Sequence, residues 1–249
     1  CGRPGREAFR KYVPELKKEH NIDVVVVNGE NIAGGRGISR KTLDEIYRAG
    51  ADIVTSGNHI WDQKEIVSFI DDEPFLIRPA NYPEGAPGKG YCIYPFKAKN
   101  IGVINVSGRT FMPPMDCPFQ KVDEILKEIK NQCDIILVDI HAEATSEKIA
   151  MGFYLDGKVT CVVGTHTHVQ TADNRILPKG TAYISDLGMV GPYNSSLGIN
   201  VNNAIDKFIT CRPVRFEMAE GPNIFSAVVL ELAEDNSVKS FERILFNEE

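Results

Sequence analysis

Four short apolar runs in this chain end in the same way. Residues 24–27 run into Asn28-Gly29-Glu30-Asn31, residues 52–55 into Gly57-Asn58-His59, residues 135–140 into His141, and residues 159–163 into Gly164-Thr165-His166-Thr167-His168. Short β-branched runs bounded by Gly, Asn and Asp read as strands, and continuous apolar ones as strands buried on both faces. Helical patterns separate them. Phe9, Val13 and Leu16 mark one helical face over residues 4–20. Ser39 can cap a helix to Arg48, and Asp62 one through Ile70. Val122, Ile125, Leu126 and Ile129 line another, and residues 204–210 look helical.

Alternation of this kind indicates a layered α/β fold. Further strands are expected over 101–106, 181–185, 224–232 and 238–245, the last two antiparallel, so the sheets should be mixed. The chain has 249 residues and is 43% hydrophobic, enough for a sizeable core. No repeat or linker divides it, and the Pro- and Gly-rich stretch 78–90 reads as a loop inside one domain spanning 1–249.

In open α/β sheets, sites form beyond the carboxyl ends of the strands. Four strand ends would therefore gather Glu30, Asn31, Asn58, His59, His141, His166 and His168 from distant parts of the chain. Of five histidines, only His20 lies elsewhere, at a charged helix end. Each motif alone has an ordinary explanation as a turn or a structural histidine. Their coincidence at equivalent positions points to a metal centre. In an extended strand alternate residues share a face, so His166 and His168 should both face it. Imidazole, amide and carboxylate donors without thiolate suit Fe, Mn, Zn or Co, and Glu30 can bridge two ions about 3.5–4 Å apart.

Charge and cysteine usage narrow the partners. The net charge of −6 disfavours coating of long nucleic acids, which needs a basic footprint. It leaves room for a small phosphate substrate, because bound cations invert the local field. Six dispersed cysteines form no CxxC pair and read as buried, reduced thiols of a cytoplasmic protein. No run approaches the roughly 18 apolar residues of a membrane span. An assembly of identical chains is compatible with the sequence.

The order GEN, GNH, H, GTHTH resembles the calcineurin-like metallophosphoesterases and, more narrowly, their bacterial YmdB-like branch. The resemblance extends through Arg78-Pro79-Ala80-Asn81, Gly108-Arg109-Thr110-Phe111 and the stretches from His141 and Gly164. It implies a four-layer α/β/β/α sandwich of mixed sheets holding two metal ions, commonly iron or manganese. It implies a phosphodiesterase acting on small phosphodiesters such as cyclic nucleotides through a metal-bridging hydroxide. By position, Glu30 would bridge the ions, Asn31 and His168 would serve the first, and Asn58, His141 and His166 the second. His59 would be the catalytic histidine facing the substrate. The family also opens with a strand ending in Gly-Asp. That Asp would fall two residues before Cys1, so a first strand and one ligand are expected upstream.

Other residues have weaker claims. Arg36, in Gly34-Gly35-Arg36-Gly37, and Arg109 are candidate substrate contacts at the rim. Trp61 and Phe111 can stack on a base or simply pack. Glu143 and Asp173 are candidates to orient imidazoles. A phosphatase or nuclease on the same scaffold, or a regulatory protein retaining the metal fold, are the competing readings.

Overall fold

A computed structural model describes residues 1–248. In chain order the elements are α1 (Gly2–Glu19), β1 (Val26–Asn28), α2 (Arg40–Arg48), β2 (Ile53–Thr55), β3 (Tyr91–Phe96), β4 (Lys99–Ser107), α3 (Pro118–Ile129), β5 (Ile135–His141) and α4 (Thr145–Leu155). Then follow β6 (Cys161–Thr165), β7 (Arg175–Ile176), β8 (Ala182–Ile184), β9 (Gly191–Pro192), α5 (Val201–Thr210), β10 (Asn223–Leu232) and β11 (Val238–Asn247). The fold is mixed α/β with parallel and antiparallel sheets. A six-stranded sheet has the order β3-β4-β5-β6-β8-β7, with β4, β5, β6 and β8 parallel. β1 and β2 form a parallel pair, and β9, β10 and β11 an antiparallel sheet.

Residue parity along β4 and β5 explains where the functional side chains go. Successive strand residues point to opposite faces. Ile104, Val106, Ile136, Val138 and Ile140 pack with Val122, Ile125, Leu126 and Ile129 of α3 and Met151 and Leu155 of α4. Ile101 and Val103 pack on the other face against Ile53 of β2, with Ile135 and Leu137 beside them. Asp139 and His141 continue the series Ile135, Leu137. They therefore face the β1–β2 pair rather than the helices. Each fully buried aliphatic side chain contributes roughly 1.5–3 kcal/mol, which holds this parity against a register slip.

A second core joins Phe9 and Val13 of α1 and Leu43 and Ile46 of α2 to Val54 and Phe225. Ser39 caps α2 as expected, through a reciprocal pair with Thr42. Residues 24–27 are half-buried, not buried, because they line an apolar groove between α1, β1 and β10. The helix expected from Asp62 to Ile70 is instead two 3₁₀ turns, Lys64–Ser68 and Ile70–Asp72, and Asp62 caps neither. Its carboxylate is engaged elsewhere. Of the cysteines only Cys92 and Cys161 are buried; Cys211 is exposed, and all six are free thiols. No helix among the described residues is long and apolar enough to cross a membrane.

Candidate metal centre

Strand register brings the ligand candidates level. Ser107, His141 and Thr165 are paired across β4, β5 and β6, and Asn28 with Thr55 across β1 and β2. The last residue of β5, His141, and the loops that leave the other ends, carrying Glu30, Asn31, Asn58, His166 and His168, meet in one cluster. His141 Nε2 lies 2.9 Å from Asn58 Oδ1, 3.0 Å from His166 Nδ1 and 3.2 Å from Glu30 Oε1. On the other side of Glu30, its Oε2 lies 3.3 Å from Asn31 Nδ2, which is 3.0 Å from His168 Nε2. Glu30 thus stands between two groups: Oε1 faces His141 among other acceptors, while Oε2 accepts from Asn31 Nδ2, beyond which lies His168.

The donor chemistry fits a cation. Asp139 is buried and accepts hydrogen bonds from Thr55 Oγ1 (2.6 Å), Asn28 Nδ2 (3.0 Å) and Thr165 Oγ1 (2.7 Å). Thr165 has then spent its proton, so its oxygen accepts from His141 Nδ1–H at 2.9 Å. That leaves His141 Nε2 to point its lone pair into a cluster of other acceptors. Acceptors this close repel unless a positive charge lies among them. A proton on His141 satisfies one contact; a metal ion satisfies all of them.

Ionisation follows the same logic. Burial opposes charge on Glu30, but His141 and the His59 N–H (2.9 Å from Oε1) outweigh it and hold Glu30 down at about 2. Burial likewise opposes charge on His141, yet Glu30 and Asp139 raise its pKa. Burial first and His141 second press His166 down to about 4, and burial lowers His168. Glu30 is therefore an anion and His166 neutral at pH 7, the forms a metal needs.

One geometric expectation is corrected. His166 and His168 do not share a strand face, because β6 stops at Thr165. Both lie in a turn with positive φ, 103° for His166 and 65° for His168. Such conformations cost of order 1–3 kcal/mol each in a non-glycine residue. Both rings still reach the cluster.

The remaining candidates separate. His59 is half-buried, and its Nδ1 lies 2.9 Å from Asp62 Oδ2. Asp62 also faces Arg36 Nη1 at 4.0 Å, which ties Arg36 to this rim. Arg109 is exposed, and its guanidinium contacts Cys117 Sγ at 3.6 Å. Trp61 packs edge-to-face on Tyr82, whereas Phe111 is 89% exposed. Glu143 does meet an imidazole, 3.0 Å from His166 Nε2. Asp173 does not; it accepts from Ser185 N and Oγ. Sequence reasoning missed Asp62 as a histidine partner, and also Asp139 and Thr165. The signal for Asp139 was a lone carboxylate in an otherwise apolar strand, two residues before His141.

Known proteins resemble this chain closely. A family model described as YmdB-like protein matches residues 1–244. A 2',3'-cyclic-nucleotide 2'-phosphodiesterase of Bacillus subtilis (strain 168) is 52% identical over 250 residues, covering 100% of this chain and 94% of the relative. The crystal structure of a hypothetical protein from Thermus thermophilus matches with a TM-score of 0.95 at 40% identity, covering 100% of this chain and 96% of that one. A phosphatase from Mycoplasma pneumoniae, also known from its crystal structure, matches with a TM-score of 0.93 at 35% identity, covering 99% and 90%. With this fold and this cluster of acidic and imidazole donors, the chain is a phosphoesterase, a hydrolase of phosphate esters. More narrowly, it belongs to the YmdB-like protein family.

Proposed function

We propose that the protein is a dinuclear metal-dependent phosphodiesterase acting on small phosphodiesters, 2',3'-cyclic nucleotides first among them. The observation that carries this reading is the face-to-face arrangement of Glu30, Asn58, His141 and His166, an acceptor cluster that calls for a cation. The name of the Bacillus subtilis relative supports the substrate class. A second ion would be held by Glu30, Asn31 and His168, with Glu30 as the bridge; Asn31 Nδ2 lies between Glu30 Oε2 and His168 Nε2, so its amide would turn to offer Oδ1 instead. Nitrogen and hard oxygen donors favour iron or manganese, with zinc as the substitute.

When bound, such ions supply Lewis acidity, lowering the pKa of water and offsetting charge on the phosphoryl oxygens. The chain's own residues orient and shield them. Asp139 and Thr165 fix the tautomer of His141. Glu143 steadies His166. The backbone N–H of His59 holds Glu30 in place, which keeps its imidazole beside the centre. With Nδ1 on Asp62, His59 Nε2 is the free nitrogen and can give a proton to the leaving oxygen of the ester. Arg36, linked through Asp62, and Arg109 are proposed to meet the substrate's charge at the rim.

We read the fold as a single domain with a four-layer α/β/β/α arrangement. Supporting it, α3 and α4 cover one face of the six-stranded sheet, β2 and β11 meet the other, and α1 and α2 pack outside β2. Six free cysteines suit a reducing compartment such as the cytoplasm.

Metal analysis of the purified protein, together with a hydrolysis panel, tests the function. The panel holds 2',3'-cyclic nucleotides, 3',5'-cyclic nucleotides, bis-p-nitrophenyl phosphate and a phosphomonoester. Two ions per chain and preferential opening of the 2',3'-cyclic ring are expected. Two ions with no diester hydrolysis would overturn it. Cleavage of the monoester alone would make the enzyme a phosphatase.

A further inference from the structure

Beneath the turn that carries His166 and His168 lies a buried ion pair that the reaction above does not use. Lys148 of α4 and Asp186, just after β8, are each 1% exposed, and Lys148 Nζ lies 2.8 Å from Asp186 Oδ2. A buried pair of this kind is weak evidence for stability, because apolar replacements are often neutral. Its contacts point to a different role.

The pair's remaining hydrogen bonds converge on the histidine turn and its flanks. Lys148 Nζ also donates to the Thr165 carbonyl at 3.0 Å. Asp186 Oδ2 accepts from Thr167 N at 3.0 Å and from Thr167 Oγ1 at 2.7 Å. Asp186 Oδ1 accepts from Gly188 N at 2.8 Å, and the Asp186 N–H donates to Thr171 Oγ1 at 2.9 Å. Thr167 sits between the two histidines that adopt positive φ. A strained turn of this kind persists only where its surroundings over-determine it. Gly164 makes the approach possible: a Cβ there would fall 1.8 Å from Ser185 O and 2.6 Å from Lys148 Cδ.

We propose that Lys148 and Asp186 are a positioning pair that locks the Thr165–Thr167 backbone and thereby sets how tightly both ions are held, one through His166 and one through His168. The inference rests on the metal-centre reading. Among the described residues neither member hydrogen-bonds a ligand side chain. It acts by holding the backbone from which the two imidazoles project.

Opposite charges make the idea separable from simple electrostatics. Lys148→Met removes a cation from beneath the site and leaves an anion. Asp186→Asn does the reverse. If only the field mattered, Lys148→Met would tighten metal binding and Asp186→Asn would weaken it. If geometry matters, both weaken it.

The experiment is titration of metal-free protein with Mn²⁺ by calorimetry, with melting temperatures measured in parallel. Both variants should bind Mn²⁺ about 10- to 100-fold more weakly than the native chain, as loss of supporting contacts typically does. Asp156→Asn is the control for a buried carboxylate far from the turn, where Asp156 accepts from Lys179 N and Thr181 N; it should lower the melting temperature without changing affinity. If either main variant fails to fold, Thr167→Val supplies the same test and Thr167→Ser the rescue. Native affinity, or tighter binding, in Lys148→Met overturns the proposal while leaving the metal centre intact. A native chain that binds no Mn²⁺ overturns the metal-centre reading itself, and this inference with it.

Discussion

Gly57 lies directly beneath the imidazole of His141. A Cβ at Gly57 would fall 2.3 Å from His141 Nε2 and 2.4 Å from Cε1. The glycine is needed for closeness, not for a turn. Gly57→Ala should push the ring out of the cluster. Metal content by elemental analysis should fall by about half, and diester hydrolysis by about 10- to 100-fold. Full metal content with native turnover would show that the ring can stay in place.

Among the described residues, His59 and Asp62 form the one histidine–carboxylate pair that stands apart from the donor cluster. His59→Gln should reduce turnover by about 10²–10⁴-fold, the usual range for a lost general acid, with both ions retained. Asp62→Asn should cost less, because the imidazole remains. Loss of metal in His59→Gln would make His59 part of the centre rather than a proton donor.

Much of this site is readable from the sequence, for a physical reason. Glu30, Asn31, Asn58, His141, His166 and His168 each follow a β-branched run, and a strand's end fixes where the next residues emerge. What escaped were residues whose neighbours break the pattern. The buried face of α4 carries Lys148 and Gly152 beside Met151 and Leu155, so its periodicity is masked. β3 contains Pro95, tolerable because β3 is an edge strand paired only with β4. Asp62 looks like a helix cap because local sequence cannot reveal that His59 competes for its carboxylate. The φ values of His166 and His168 depend on contacts from distant elements and leave no local trace.

Asp139 and Thr165 fix the tautomer of His141. Thr165→Val would leave His141 Nδ1–H buried without an acceptor, a cost of about 1–3 kcal/mol. Metal affinity should fall about 10- to 100-fold, and Thr165→Ser should restore it. Calorimetric titration with Mn²⁺ measures both. Native affinity in Thr165→Val would mean the ring is oriented without this chain of hydrogen bonds.

Phe111 is 89% exposed, has φ 60°, and sits on the loop that leaves β4 beside His141, where Gly108 N donates to the His141 carbonyl. Glu147 anchors that loop by accepting from Arg109 N and Thr110 N. If the substrate is a cyclic nucleotide, as proposed, this unpacked ring is available to stack on its base. Stacking is worth about 1–3 kcal/mol per base. Phe111→Ala should lower kcat/KM for 2',3'-cyclic nucleotides by about 5- to 100-fold, mainly through KM. Glycerol 1,2-cyclic phosphate, which has no base, should be cleaved at the native rate, and the melting temperature should not change. An equal loss on both substrates would rule out base stacking.

The candidate ligands come from two different sheets: Glu30, Asn31 and Asn58 follow β1 and β2, while His141 ends β5 and His166 and His168 follow β6. Ions held among them, as proposed, would act as a cross-link between those sheets, closing loops of about a hundred residues much as a disulfide would. Chelation should therefore do more than stop turnover. It should unfasten the seam between the two sheets, seen as faster amide exchange along β1 and β5 together, and the metal would serve as the rivet of the fold as well as its reagent.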